Sequence, residues 1–432
     1  MNVKRIIALL IAVLLPFSLA SCGDSPDEPT PVTDDQNPTP YKLLSDTNGR
    51  LQPESMALTD VSSLQTVNID SFGVKLLQEL YVPGENLVIS PTSLYIALSM
   101  LYNGAQGNSA TQMAQTMGIG EDRDAFNAYM RDLQLYLLEE RGDTSLSVAN
   151  SLWVRDQYAE YILHSFLETN SKNYGAMMRA LNFDDSACVD IINGWISENT
   201  NGLIDNMIDP PLDPDTMLML INTIYFKAKW SAPFDPYVTK KAPFHTSGGD
   251  IEVDMMNESS AYLQGYEDDK VQAVSIPYTD NTSSLLVILP KQDPDAYFAA
   301  LTAEAIDDIM SNMRGMTVAF SMPKVDTESK MQPADVLAAM GMPDIFQPGH
   351  ADFSAMSSSQ ATPLYVGDIM HNTVLKIDEE GTEAAAATSI MMRPTGMPML
   401  DMVMTVDSPF FVAIMDEHAG MLFAGAINNP NE

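Results

Sequence analysis

Basic residues are scarce in this sequence. Its 432 residues include 22 Lys and Arg against 58 Asp and Glu, a formal net charge of −36. A nucleic-acid or anionic-membrane surface needs basic patches, so this balance argues against both, and against activation by a sulfated polyanion. Cysteine is scarcer still, with only Cys22 and Cys188. Cys188 has no partner left once Cys22 is assigned to acylation. It reads as a small buried hydrophobe, not a nucleophile, because no catalytic histidine is evident beside it. The usual catalytic signatures are absent: no G-x-S-x-G elbow, no H-E-x-x-H, no P-loop and no G-x-G-x-x-G. The five histidines (His164, His245, His350, His371, His418) show no ligand spacing. Asp209, Asp213 and Asp215 lie in DPPLDPD, which reads as a proline-stiffened loop before a calcium site. The sequence therefore offers no metal, no cofactor and no support for an enzyme. Three tryptophans are too few for a carbohydrate platform, and Trp153 and Trp230 sit in strand-like apolar runs.

What is present begins with a leader. Lys4 and Arg5 precede an apolar run, Ile6 to Leu15, that is too short to span a bilayer stably. LASC follows, ending at Cys22. It resembles the lipobox of bacterial lipoproteins, which implies a signal peptide over 1–21 and an acylated Cys22 at the mature N-terminus. An ordinary secretory signal is the alternative. Residues 23–40, GDSPDEPTPVTDDQNPTP, hold five prolines and five acidic residues with no basic one. Such a segment cannot bury apolar surface and reads as an extended spacer. The reading takes 22–65 as lipidated tether and 66–432 as one domain. The resemblance implies a lipid-anchored protein of a Gram-negative cell envelope, in the outer membrane. The acidic residues after Cys22 resemble surface-export signals.

From about Asn68 onward no second linker or internal repeat is visible. NIDSFGVKLLQELY places Ile69, Phe72, Leu76, Leu77 and Leu80 at helical spacing. SPTSLYIALSMLYNG opens on Ser-Pro and stops at Asn103-Gly104, and DRDAFNAYMRDLQLYLLEE is a third amphipathic helix. The rhythm then changes. SLSVANSLWV alternates, whereas LMLINTIYF and SLLVILP are continuous apolar strands, followed by MTVAFSMPKV and VMTVDSPFFVAIMD. Helices early and strands later predict an α+β fold with large sheets.

EEGTEAAAATS, residues 379–389, is the unexpected stretch. Propensity favours a helix there. Yet it follows a strand-like run and precedes MMRPTGMPML, which no helix would survive. KIDEEGTEAAAATS, together with DSPFFVAIMDEHAGMLFAGAINNP, resembles the reactive-loop hinge and closing signature of serpins. NLVISPTSLYIALSMLYNGAQGNSATQM, INGWISENTNGLI, LINTIYFKAKWSAPF, VDMM, VSIPY and Asp352-Phe353-Ser354 fall in the family's order. The match covers about residues 66–430.

The resemblance implies a monomeric protease inhibitor with an exposed reactive loop over about 379–405. Cleavage of that loop inserts it into the main sheet and traps the covalently attached enzyme. Its hinge is Glu379, Glu380, Gly381, Thr382, Glu383, Ala384, Ala385, Ala386 and Ala387. With Thr382 inward, a period of two puts Ala384, Ala386, Thr388, Ile390 and Met392 inward too, all buriable. The family's shutter maps to Ser90, Ser93, Asn222 and His371, and its breach to Trp230 with Glu379. Sixteen positions beyond Glu379 lies Thr395, followed by Gly396. That bond suits elastase-like or subtilisin-like serine proteases. A loop about three residues longer than usual makes Met397 and Met399 alternatives. Papain-like cysteine proteases are a further expected target, and a non-inhibitory binding protein of the same fold is the competing function.

Overall fold

The computed structural model describes residues 42–45, 47, 49, 51, 69–139, 141–214, 216–359, 364–367, 369–382 and 399–432. Helix α1 (Ile69–Leu80) buries Ile69, Phe72, Leu76 and Leu77. Helix α2 (Pro91–Tyr102) starts where the Ser90 side chain accepts the Ser93 N–H, with Pro91 in the first turn needing no donor. Every residue of α2 is buried. It stops before Gly104, where a Cβ would meet Met356 at 2.7 Å. Helices α3 (Gly107–Met117) and α4 (Arg123–Leu137) follow, the latter capped by Asp122. Then come α5 (His164–Tyr174), α6 (Ala187–Asn199), α7 (Pro294–Ala300), α8 (Ala303–Ser311) and α9 (Ala334–Met340).

The strands in chain order are β1 (Lys42–Leu43), β2 (Leu87–Ile89), β3 (Ser145–Arg155), β4 (Met177–Leu181), β5 (Leu218–Lys229), β6 (Lys240–Thr246), β7 (Gly249–Glu267) and β8 (Val271–Pro277). They continue as β9 (Ser283–Pro290), β10 (Arg314–Pro323), β11 (Val325–Met331), β12 (His371–Ile377), β13 (Gly381–Thr382), β14 (Met402–Thr405), β15 (Phe410–Asp416) and β16 (Gly420–Ile427). They form two sheets. One has the order β1-β4-β3-β5-β13-β12-β11, the other β14-β10-β7-β8-β9-β15-β16-β2 with β6 on β7. Helix α2 packs against both β5 and β16, which is why no face of it is polar. The predicted α+β class with large sheets is what the structure has.

Two apolar clusters sit on opposite faces of β5. Phe226 and Ala228 join the main core, while Ile221 joins a second cluster with Trp153, Cys188, Ile192 and Trp195. That second cluster is α6 lying across the sheet. It also explains a departure from the sequence reading. SLSVANSLWV looked like a half-exposed alternating strand, but β3 is buried at every position from Val148 to Arg155. A covering helix supplied from forty residues downstream leaves no trace in a local pattern. A second departure is β1. It falls inside the span 22–65 read as tether, yet pairs antiparallel with β4.

Among the described residues, a short strand is what stands between β5 and β12. Gly381 pairs with Lys229, and Thr382 pairs with both Ala228 and Ile377. Among the described residues no ladder joins β5 directly to β12 beyond it.

Candidate functional site

The site is the place where β12 turns back into β13. Asp378 makes the turn: its carboxylate Oδ1 accepts the backbone N–H groups of Glu380 (2.8 Å) and Gly381 (3.2 Å). Its own N–H donates to the Gly381 carbonyl at 3.0 Å. Gly381 is demanded by packing here. A Cβ at that position would sit 2.0 Å from the Ala228 carbonyl oxygen, so any side chain would push β13 off β5.

Trp230 fastens the turn from outside. Its indole N–H donates to the Asp378 carbonyl (2.9 Å) and its backbone N–H to the Glu380 carbonyl (2.9 Å). The Phe234 N–H takes the Glu379 carbonyl at 2.8 Å. The indole stacks on Tyr278, with centroids 4.7 Å apart and planes 12° from parallel. The Tyr278 hydroxyl lies 2.6 Å from the Thr382 hydroxyl. Thr382 is buried, so its side chain does face inward as the period-two reading assumed.

Glu379 is a charged group held inside this end of the sheet. Its Oε2 is 2.6 Å from the Lys324 ammonium, and its Oε1 accepts the Thr239 hydroxyl at 2.7 Å. Burial alone would raise its pKa. The bonds from Lys324 and Thr239 outweigh that and hold the carboxyl below its ordinary range.

A second polar cluster lies beneath the sheet. The Ser90 N–H donates to His371 Nε2 at 3.0 Å, and the Thr373 hydroxyl is 3.0 Å from the same nitrogen. Ser90 Oγ donates to the Leu422 carbonyl. Ser93 Oγ donates to Asn222 Oδ1. Asn222 Nδ2 donates to Asn150 Oδ1 at 2.6 Å, and Asn150 Nδ2 reaches Gln134 Oε1 and the Tyr174 carbonyl. The four predicted residues are therefore brought together, but as two linked pairs. His371 rises from β12 and Asn222 from β5, on either side of the interruption in the sheet.

Burial pushes the His371 imidazole down to about 4. The folded state thus favours the neutral ring, with Nε2 accepting. Stability from this group is fully present above its ordinary pKa of about 6.5 and is lost as pH falls toward about 4. Urea-unfolding midpoints should show a loss of about 3 kcal/mol over that interval. His371→Gln should flatten the profile there. An unchanged slope in the variant would contradict the assignment.

Sequence reasoning missed Lys324, Thr239, Tyr278, Asn150 and Thr373. All but Thr373 lie far along the chain from the residues they serve. Asn150 carried the one readable signal, a lone amide inside the apolar run SVANSLWV. Glu383, Ala384, Ala385, Ala386, Ala387, Thr395, Gly396 and Met397 lie outside the described residues, as does Cys22. Met399 is described and 92% exposed. Cys188 is buried, and burial raises its thiol pKa, as befits a packing residue.

Comparison with known proteins bears on this geometry. The profile of the family described as Serpin (serine protease inhibitor) matches residues 67–430. An uncharacterized serpin-like protein of Thermococcus kodakarensis is 32% identical, the match covering 98% of this chain and 99% of that protein. Intracellular coagulation inhibitor 2 of Tachypleus tridentatus is 29% identical over 83% of this chain and 89% of its own length. Among solved structures, the thermophilic serpin tengpin in its native state superposes with a TM-score of 0.80 at 28% identity, covering 90% of this chain and 100% of that one.

Proposed function

The chain belongs to the serpin family of protease inhibitors, and we propose that it acts on serine proteases as a suicide substrate. The observation that carries this is the seat of β13. Gly381 and Thr382 occupy the place of a strand between β5 and β12, Thr382 inward. Continuing that register, an inserted loop would set Ala384 opposite Leu375 and Phe226, and Ala386 opposite Thr373 and Ile224. Thr388 would arrive opposite His371 and Asn222, where its hydroxyl can join the two polar pairs. No inward position from Thr382 to Met392 is a charge or a proline, so nothing over that span stalls the strand.

In the proposed reaction the protease serine attacks the Thr395 carbonyl. An ester forms to the enzyme, the peptide bond breaks, and Gly396 leaves with the new amine. Insertion of 383–394 then carries the acyl-enzyme toward the far end of the sheet before water completes hydrolysis. Small residues at 395 and 396 favour elastase-like or subtilisin-like enzymes. Arg393 is followed by Pro394, which most serine proteases refuse. Papain-like cysteine proteases would be trapped through the same loop as thioesters. The LASC leader supports a lipid on Cys22, and the spacer after it supports a body held away from the outer membrane of a Gram-negative cell, acting as a monomer.

Titrating pancreatic elastase, subtilisin and trypsin with the inhibitor tests the preference. Elastase and subtilisin are expected to lose activity at about one inhibitor per enzyme, while trypsin stays active. Full activity of all three with an uncut loop would replace inhibition with a binding role.

A further inference from the structure

Residues 42–51 precede the helices of the body, yet their described part is seated along the open edge of the seven-stranded sheet. Lys42 pairs with Ala180 and Leu43 with Arg179. The Leu44 N–H donates to the Met178 carbonyl at 2.8 Å. Ser45 Oγ accepts the Met178 N–H at 3.0 Å, and the hydroxyls of Ser45 and Thr47 both donate to the Ala176 carbonyl.

Strand β4 begins at Met177, so the neighbouring strand β3 has a free edge just beyond it. Gly49 covers that edge: its carbonyl accepts the Asn150 N–H at 2.7 Å. Gly49 has φ +92°, and a Cβ there would come within 2.9 Å of the Trp195 ring, so both backbone and packing require glycine. Leu51 is buried as well.

What Gly49 touches gives the contact its consequence. Asn150 is the residue whose side chain joins Asn222, Gln134 and the Tyr174 carbonyl beneath the sheet. Trp195 belongs to α6, the helix lying across β3 and β5. Admitting one more strand between β5 and β12 widens a sheet by about 4.8 Å, so β3 and β5 must shift under α6. Gly49 is bonded to one of these moving parts and packed on the other.

We propose that the described residues of this segment, 42–45, 47, 49 and 51, act as a strap that restrains widening of this sheet, so that a stretch ahead of the first helix sets the lifetime of the loop-out inhibitor. The proposal rests on the loop-insertion reading above. Unstrapped, the chain takes up its own uncut loop sooner and loses the ability to trap protease.

The test uses the chain from residue 22 to 432 with Cys22→Ser for solubility, compared with Gly49→Val and, as a milder variant, Ser45→Ala with Thr47→Val. Freshly folded variants should trap elastase as the parent does. Their inhibitory activity should then decay at least tenfold faster on storage at a fixed temperature, while resistance to urea rises. A synthetic peptide of residues 41–51, added in excess, should lengthen the half-life of the Gly49→Val chain. A parent that traps, with variants of equal half-life, overturns the strap alone. A parent that never traps elastase or subtilisin overturns the loop reading and the strap's role with it. If Gly49→Val does not fold, the hydroxyl double variant decides by the same half-life.

Discussion

Thr382→Arg is expected to convert the inhibitor into an ordinary substrate. Thr382 is 3% exposed, its hydroxyl lies against Tyr278, and its side chain points into the core between the sheets. An arginine there would have to bury an unpaired guanidinium, which costs several kcal/mol even after relaxation. The hinge would then stay out of the sheet, and a cleaved loop would insert too slowly to outrun deacylation. The bond at Thr395 is untouched, so the rate of loop cleavage should be near the parent's. The number of inhibitor molecules consumed per enzyme inactivated should rise from about one to above ten, a loss of about 1.4 kcal/mol or more in the partition between trapping and release. Thr382→Ser keeps the hydroxyl and small size and should behave as the parent. An arginine variant that traps at parental stoichiometry would show that the inward seat of residue 382 does not govern insertion.

The second large effect is expected at Glu379. Its carboxylate is mostly enclosed, with 9% of the side chain exposed, whereas 41% of its partner Lys324 is open to water. Glu379→Lys removes the acceptor of the Thr239 hydroxyl and sets two ammonium groups against each other. Breaking a fully buried pair costs about 3–5 kcal/mol. The exposure of Lys324 screens part of that, so about 2–3 kcal/mol of unfolding stability at pH 7 is expected to be lost. Adding Lys324→Glu should restore the attraction and recover most of the loss. Chemical-denaturation midpoints of the two single variants and the double variant measure the coupling directly. If the double variant is no more stable than Glu379→Lys, the pair is not what holds this end of the sheet.

The parts of this architecture legible in the sequence were those specified locally. Helices α1 and α4 announced themselves because their apolar positions recur every three to four residues, and α2 because Ser90-Pro91 opens a strongly apolar run. The hinge was named through resemblance, and of its residues the structure describes Glu379 to Thr382, with Gly381 and Thr382 seated between β5 and β12. The polar cluster under the sheet was named through resemblance, and the structure added how it is divided. Ser90 serves His371, and Ser93 serves Asn222.

What stayed hidden depends on contacts between distant segments. Lys324 and Thr239 converge on Glu379 from separate parts of the second half of the chain. Neither is unusual in its own neighbourhood. The two-sided burial of β3 is imposed by α6, so its sequence showed only a preference for strand. The strap was least legible of all. YKLLSDTNGRL continues a polar, turn-rich spacer, and its role appears only when Gly49 meets Asn150 and Trp195.

The most direct test of suicide trapping is to mix the chain from residue 22 to 432, with Cys22→Ser, with pancreatic elastase and follow denaturing gels and intact masses. The full N-terminus is kept because a start at residue 47 would remove Lys42–Leu43 and Ser45 from the sheet edge. The account predicts a species that survives denaturation, with the mass of both proteins less the peptide 396–432, and a released peptide beginning at Gly396. A loop cut to completion beside fully active elastase, with no covalent species, would contradict it.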